Sequence, residues 1–277
     1  MTPPPFAWTT GEIHADVVLG VGILAAAYAW ASLSGPRGGL REPAFFFASL
    51  ILLLAALNGP LHDLSDYYLF SAHMVQHLLL TLVVPPLLLA GMPAWMADAL
   101  LRPLMRRRAL GVLTRAATRP VTALGVYAVA LIGWHLPGPY EVALERHAWH
   151  VVEHLVLIAT ATLAWWPVLS PSRLRPRLHY GTQILYLFAF GIPMTVVAAM
   201  ITGSEELLYP FYADAPRLFD LTPIGDQRLG GLIMWVPAGM IPLLAFTVVF
   251  FRWVAAEAED EAELSSVERL SARIKNS

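Results

Sequence analysis

Two histidine pairs dominate the chemistry available to this chain. His73 and His77 stand four residues apart, and so do His150 and His154. In a helix that spacing puts both imidazoles of a pair on one face, a turn apart. His147 shares the sector of the second pair, within about one-sixth of a turn at ~100° per residue. Glu153 lies beside His154, in a stretch otherwise free of charge. Imidazole with carboxylate suits copper or zinc, and a carboxylate can also orient an imidazole as a neighbour. His62 and His135 are further candidates, and Asp63 and Asp66 add carboxylates nearby. The metal-site reading is therefore His73, His77, His150, His154 and Glu153, extended by His62 and His135. The chain has no Cys, which removes thiolate ligands, thiol nucleophiles and disulfides together.

These donors must be positioned by helices in lipid. Of 277 residues, 57% are apolar and only 14% charged, and mean hydropathy is +0.59. A soluble domain cannot hide that much apolar side chain, and disorder is excluded for the same reason. The net charge of −2 gives no basic field for nucleic acid. Seven apolar stretches approach the ~20 residues that a bilayer core requires. They run at about 17–33, 44–61, 69–90, 121–136, 148–169, 180–202 and 229–251, and Glu153 is their only Asp, Glu, Lys or Arg. The first and fourth are short, so their ends are expected to extend. The fold expected is all-α, a seven-transmembrane-helix bundle over residues 1–254, followed by an acidic cytoplasmic tail over 255–277. SSVERLSARI in that tail has the pattern of a short amphipathic helix. The start, MTPPPFAW, lacks the basic region of a signal peptide, so the first span is expected to be retained.

Arginine sets the orientation. Segments after spans one, three, five and seven hold twelve, from Arg37 to Arg252, whereas the other side holds Arg146, Arg217 and Arg228. The positive-inside bias then puts the N-terminus outside and the C-terminus in the cytoplasm of a plasma (cell inner) membrane. On this topology eight of nine histidines fall near the outer face, and only His179, beside Arg177, lies inside. His14 and His147 read as water-facing. Met74, Met194, Met200 and Met234 read as packing, the usual role of Met in such helices. Asp226, just before span seven, reads as a helix N-cap.

The motifs carry a resemblance. SAHMVQH at 71–77 followed by LLLTLVVPPLLLAGMP, GWHLPGPY at 133–140, HAWHVVEHL at 147–155, WWPVL at 165–169 and DQRLGGLIMW at 226–235 occur in order. The set resembles the caa3-type cytochrome c oxidase assembly factor CtaG family over roughly 45–251. That resemblance implies a polytopic membrane protein needed to form active haem–copper oxidase, acting through its copper, with oxidase subunits as partners. A single-span copper chaperone that shares the CtaG label depends on Cys, so its chemistry does not transfer to this chain.

Two readings follow from the residues. One is an assembly factor, not an enzyme, holding copper in a shallow outer cup and passing it to an oxidase subunit, with zinc as the alternative metal. The other is a membrane metalloenzyme, either a haem or quinol oxidoreductase or a zinc-dependent hydrolase. Two His one turn apart on one helix cannot take opposite faces of one haem, so the spacing favours a shared metal ion. A transporter is disfavoured because the inner half carries no second layer of acids or histidines.

Overall fold

The computed structural model describes residues 6–9, 11–36 and 39–275, with side chains to residue 264. Arg37, the first five residues and the side-chain pattern of SSVERLSARI lie outside that description. Every long element described is helical, in the order α1 (Ala15–Ser34), α2 (Arg41–Leu57), α3 (Pro60–Tyr67) and α4 (Phe70–Leu78). A π-helical turn over Leu79–Val83 leads into α5 (Val84–Ala90). Then come α6 (Ala94–Arg106), α7 (Arg108–Ala117), α8 (Pro120–His135), α9 (Pro137–Glu145), α10 (His147–Leu169), α11 (Tyr180–Gly203) and α12 (Pro223–Lys275).

Five helical stretches are long and apolar enough to cross a membrane: α1, α4 through α5, α10, α11 and α12. Counting two bent pairs as single spans raises the total to seven: α2 with α3, bent by 44°, and α7 with α8, bent by 75°. The protein is thus a multi-pass helical membrane protein. Its outer faces agree. On α11, Leu185, Phe188, Ile192 and Val196 form an exposed apolar stripe, which water would not tolerate and lipid does.

Sequence explains the departures from straight helices. Gly59 takes φ 70°, a left-handed value that favours glycine, and Pro60 then starts α3. What reads in sequence as a short loop carrying Asp63 and Asp66 is therefore a helix. Span one does extend, to 20 residues. Span four does not: α8 keeps 16, bounded by Pro120 at its first turn and by Leu136, which Pro137 holds extended at ψ 141°. Pro85 has no N–H for the carbonyl of Thr81, four residues back. That carbonyl instead accepts Trp165 Nε1–H at 3.1 Å, which ties the π turn to α10.

The main core lies among α4, α8, α10, α11 and α12, with Tyr127 stacked on Phe190 and Trp165 beside it. Met74, Met194 and Met234 are buried in it, while Met200 is partly exposed. Gly230 lets α12 close on α4, since a Cβ there would lie 2.4 Å from Phe70 Cδ1. At the bundle end that carries α6 and α7, Asp98 accepts Ser172 Oγ–H at 2.5 Å and Arg173 N–H at 3.0 Å. These bonds hold the Asp98 carboxyl below its usual pKa, the Ser172 hydroxyl contributing most. His179 is exposed at the same end, at the start of α11.

Candidate metal centre

At the opposite end, α3, α4, α8 and α10 each bring histidines to one place. His73 and Glu153 are fully buried, and His77, His135, His150, His154 and His62 are each at most 6% exposed. One ligand atom from each of His73, His77, Glu153 and His154 falls within 4.8 Å of the others. Asp66, His73 and His150 form a second such group that shares His73. The expected shallow cup is instead an enclosed site. Tyr140 packs 5.2 Å from the His73 ring, Tyr209 donates to the His135 carbonyl at 2.7 Å, and Tyr212 contacts His73 directly.

The hydrogen bonds assign the imidazole tautomers. Tyr212 Oη–H donates to the Ser65 carbonyl at 2.7 Å, so its oxygen accepts from His73 Nδ1–H at 3.2 Å. His135 Nδ1–H donates to the Leu131 carbonyl at 2.7 Å, leaving its Nε2 to accept from His77 Nδ1–H at 3.3 Å. Both His73 Nε2 and His77 Nε2 are then lone-pair atoms, and they face each other at 2.8 Å. Two lone pairs that close repel unless a cation or a proton lies between them. His77 Nε2 also lies 3.7 Å from Glu153 Oε1. Among the described residues, neither Glu153 oxygen has a hydrogen-bond partner, nor do His150 Nε2 and His154 Nε2. Buried polar atoms without partners are rare and costly, and here they converge beside a carboxylate. The donor set fits a divalent or monovalent transition-metal ion.

Two histidines of the sequence reading spend both nitrogens on protein. His135 does so as described. His62 Nδ1 accepts from Gln76 Nε2 at 3.1 Å, and its Nε2–H faces Asp66 Oδ2 at 3.3 Å. Asp66 lies equally close to His150 Nδ1, at 3.3 Å, and so leaves His150 Nε2 free. His135 and His62 therefore orient other groups, a role whose loss in metal sites weakens binding. Tyr212, Tyr140 and Gln76 were missed by sequence reasoning. None has a spacing signal, and Tyr212 arrives from a short 3-10 turn between α11 and α12. Asp226 does not cap its own helix; its carboxylate accepts Phe70 N–H at 2.7 Å and Ser71 Oγ–H at 2.5 Å, at the start of α4.

Fold and site together define a multi-pass membrane protein whose helix ends enclose a histidine–carboxylate cluster able to hold a metal ion. The chain belongs to the cytochrome c oxidase caa3 assembly factor family, whose model matches residues 16–256. Among curated proteins it is similar to the uncharacterized proteins Mb0105 of Mycobacterium bovis and MT0111 of Mycobacterium tuberculosis. Each is 25% identical over 203 residues, covering 67% of this chain and 30% of the relative. The chain thus spans less than a third of the length of these relatives. No solved structure matches it.

Proposed function

We propose that this protein binds copper at its buried histidine cluster and supplies it to an apo subunit of a haem–copper oxidase. His73, His77 and His154 give Nε2 donors, Glu153 gives the carboxylate, and His135, His62 and Asp66 orient them. His150 is a further donor at the edge of the cluster. The site lies toward the outer face of the plasma membrane, with the N-terminus outside and the acidic end of α12 in the cytoplasm. One observation carries this reading: two lone-pair nitrogens face each other at 2.8 Å, next to a buried carboxylate that has no hydrogen-bond partner. A neutral structural cluster would have its protons shared out so that such contacts are satisfied. Family membership supports the client, since active oxidase requires metal centres to be assembled.

The cluster is compact enough for one ion. With N–metal bonds of about 2.0 Å at tetrahedral angles, the two Nε2 atoms would stand about 3.3 Å apart, so binding opens their contact only slightly. Zinc would suit the same donors, and metal analysis separates the two. Purified wild type, His77→Ala, Glu153→Gln and His179→Ala are compared for bound copper and zinc. His77→Ala and Glu153→Gln lose metal and fail to support oxidase maturation in cells, whereas His179→Ala matches wild type. Equal metal content in all four proteins would defeat the proposal.

A further inference from the structure

A buried site needs a way in, and the structure contains a second set of donors placed to provide one. A cavity of about 80 Å³ adjoins the cluster, and its lining includes His14, His62, His147, His150 and His154. Among the described residues, three of these, His14, His150 and His154, have a buried Nε2 with no hydrogen-bond partner. His150 and His154 are more than nine-tenths buried. The cavity is large enough for a hydrated ion or a few waters.

The rings form a continuous series. His147, exposed at the first residue of α10, stacks on His14 with centroids 5.6 Å apart. His14 meets His62 edge-on at 4.4 Å, and His62 stacks on His150 at 6.0 Å. His150 is then 4.3 Å from His154 and 5.4 Å from His73. The placement of His14 is built in. Gly11 packs so tightly on Gly59 that a Cβ would lie 2.4 Å from that residue's Cα. The Gly59 N–H donates to the Glu12 carbonyl at 2.9 Å, and His14 N–H donates to Asn58 Oδ1 at 2.7 Å. These contacts hold the segment before α1 over the end of α2.

We propose that His14 and His147 form a receiving station for the metal, which passes by way of His150 Nε2 to the buried cluster. This rests on the metal-binding reading above. Among the described residues, the chamber histidines do not bring three ligand atoms within 4.8 Å, as the cluster does. A looser donor set holds an ion weakly and releases it, which suits transit rather than storage. Each step is ligand exchange: one metal–nitrogen bond forms as another breaks, with no change in oxidation state. Asp66 keeps the His150 proton on Nδ1 throughout, so Nε2 stays available to accept the ion.

The test separates rate from capacity. The full chain in detergent is mixed with Cu(I) held by bicinchoninate, and transfer is followed by loss of the chelator complex's colour. In His14→Ala/His147→Ala, loading slows by about tenfold, the scale on which metal sites respond to loss of a supporting partner. Final stoichiometry and affinity stay at wild-type values, which also shows that the variant is folded. A wild-type loading rate overturns the proposal. So does loss of stoichiometry, which would put these residues in the resting site. If wild-type protein takes up no copper, the metal-binding reading itself falls and takes this one with it.

Discussion

Tyr212→Phe isolates the control that this structure exerts on the proposed metal ligands. The change deletes one oxygen and keeps the ring among Phe70, Tyr140 and Phe211. That oxygen accepts from His73 Nδ1–H at 3.2 Å while donating to the Ser65 carbonyl at 2.7 Å. Without it, nothing holds the His73 proton on Nδ1, and the tautomer with a proton on Nε2 competes. A protonated Nε2 cannot bind a metal. Loss of such an orienting partner costs about 10–100-fold in metal affinity, or about 1.4–2.8 kcal/mol. The orphaned Ser65 carbonyl adds a stability cost of about 1–3 kcal/mol, so affinity must be separated from folding. Tyr140→Phe provides the control. Among the described residues its hydroxyl bonds only Tyr212, at 3.3 Å, and its removal leaves the His73 proton held. A chelator competition titration is expected to show weakened copper binding for Tyr212→Phe and wild-type affinity for Tyr140→Phe. Unchanged affinity in Tyr212→Phe, or equal loss in both, would refute the tautomer argument.

Two further outcomes are expected. For orientation, single cysteines replacing Ser34 and Glu205 in this Cys-free chain are labelled in intact cells; Glu205→Cys reacts with an impermeant maleimide and Ser34→Cys does not, and the reverse pattern would invert the bundle. For Asp98, hydrogen bonding lowers the folded pKa, so its stabilising effect is full above the unfolded value of ~3.9 and is lost as pH falls through the folded value. Hydrogen-exchange protection over residues 170–176, taken relative to the intrinsic rate at each pH, should therefore fall at acid pH in wild type, whereas Asp98→Asn should be poorly protected throughout; a wild type whose protection does not change with pH would remove Asp98 as the clamp.

Much of this molecule was legible in its sequence, because the signals are periodic and lipid permits few solutions. The apolar stretches mark the long helices, five that cross singly and up to seven with the bent pairs, whereas the short helices α3, α6, α7 and α9 left no apolar signal; the i,i+4 pairs mark the faces that meet. Glu153 announces itself as a carboxylate in an apolar run. What was not legible depends on contacts across the bundle. Nothing in the spacing says that His62 and His135 use both nitrogens on protein, or that Asp66 lies 3.3 Å from two histidines. His14 read as water-facing because it precedes the first span, yet the close approach of Gly11 to Gly59 carries it inward. Asp226 read as a cap from its position, and only packing reveals that it serves a different helix. The enclosure of the site likewise comes from three tyrosines on α9 and the loop before α12, of which Tyr140 and Tyr212 meet His73 from positions 67 or more residues away.

The bond from Asp226 to α4 has a mechanical side. At 53 residues, α12 is a rod of about 80 Å, more than twice the thickness of a hydrocarbon core. One end carries Glu257, Glu259, Asp260 and Glu261; the other grips the backbone of Phe70 and Ser71, two residues short of His73. Such a rod acts as a lever. A load that tilted its acidic end would be felt at the first turn of the helix that bears His73 and His77. Pro237 and Pro242 lie between the two ends, where the missing backbone donors make a helix easiest to bend.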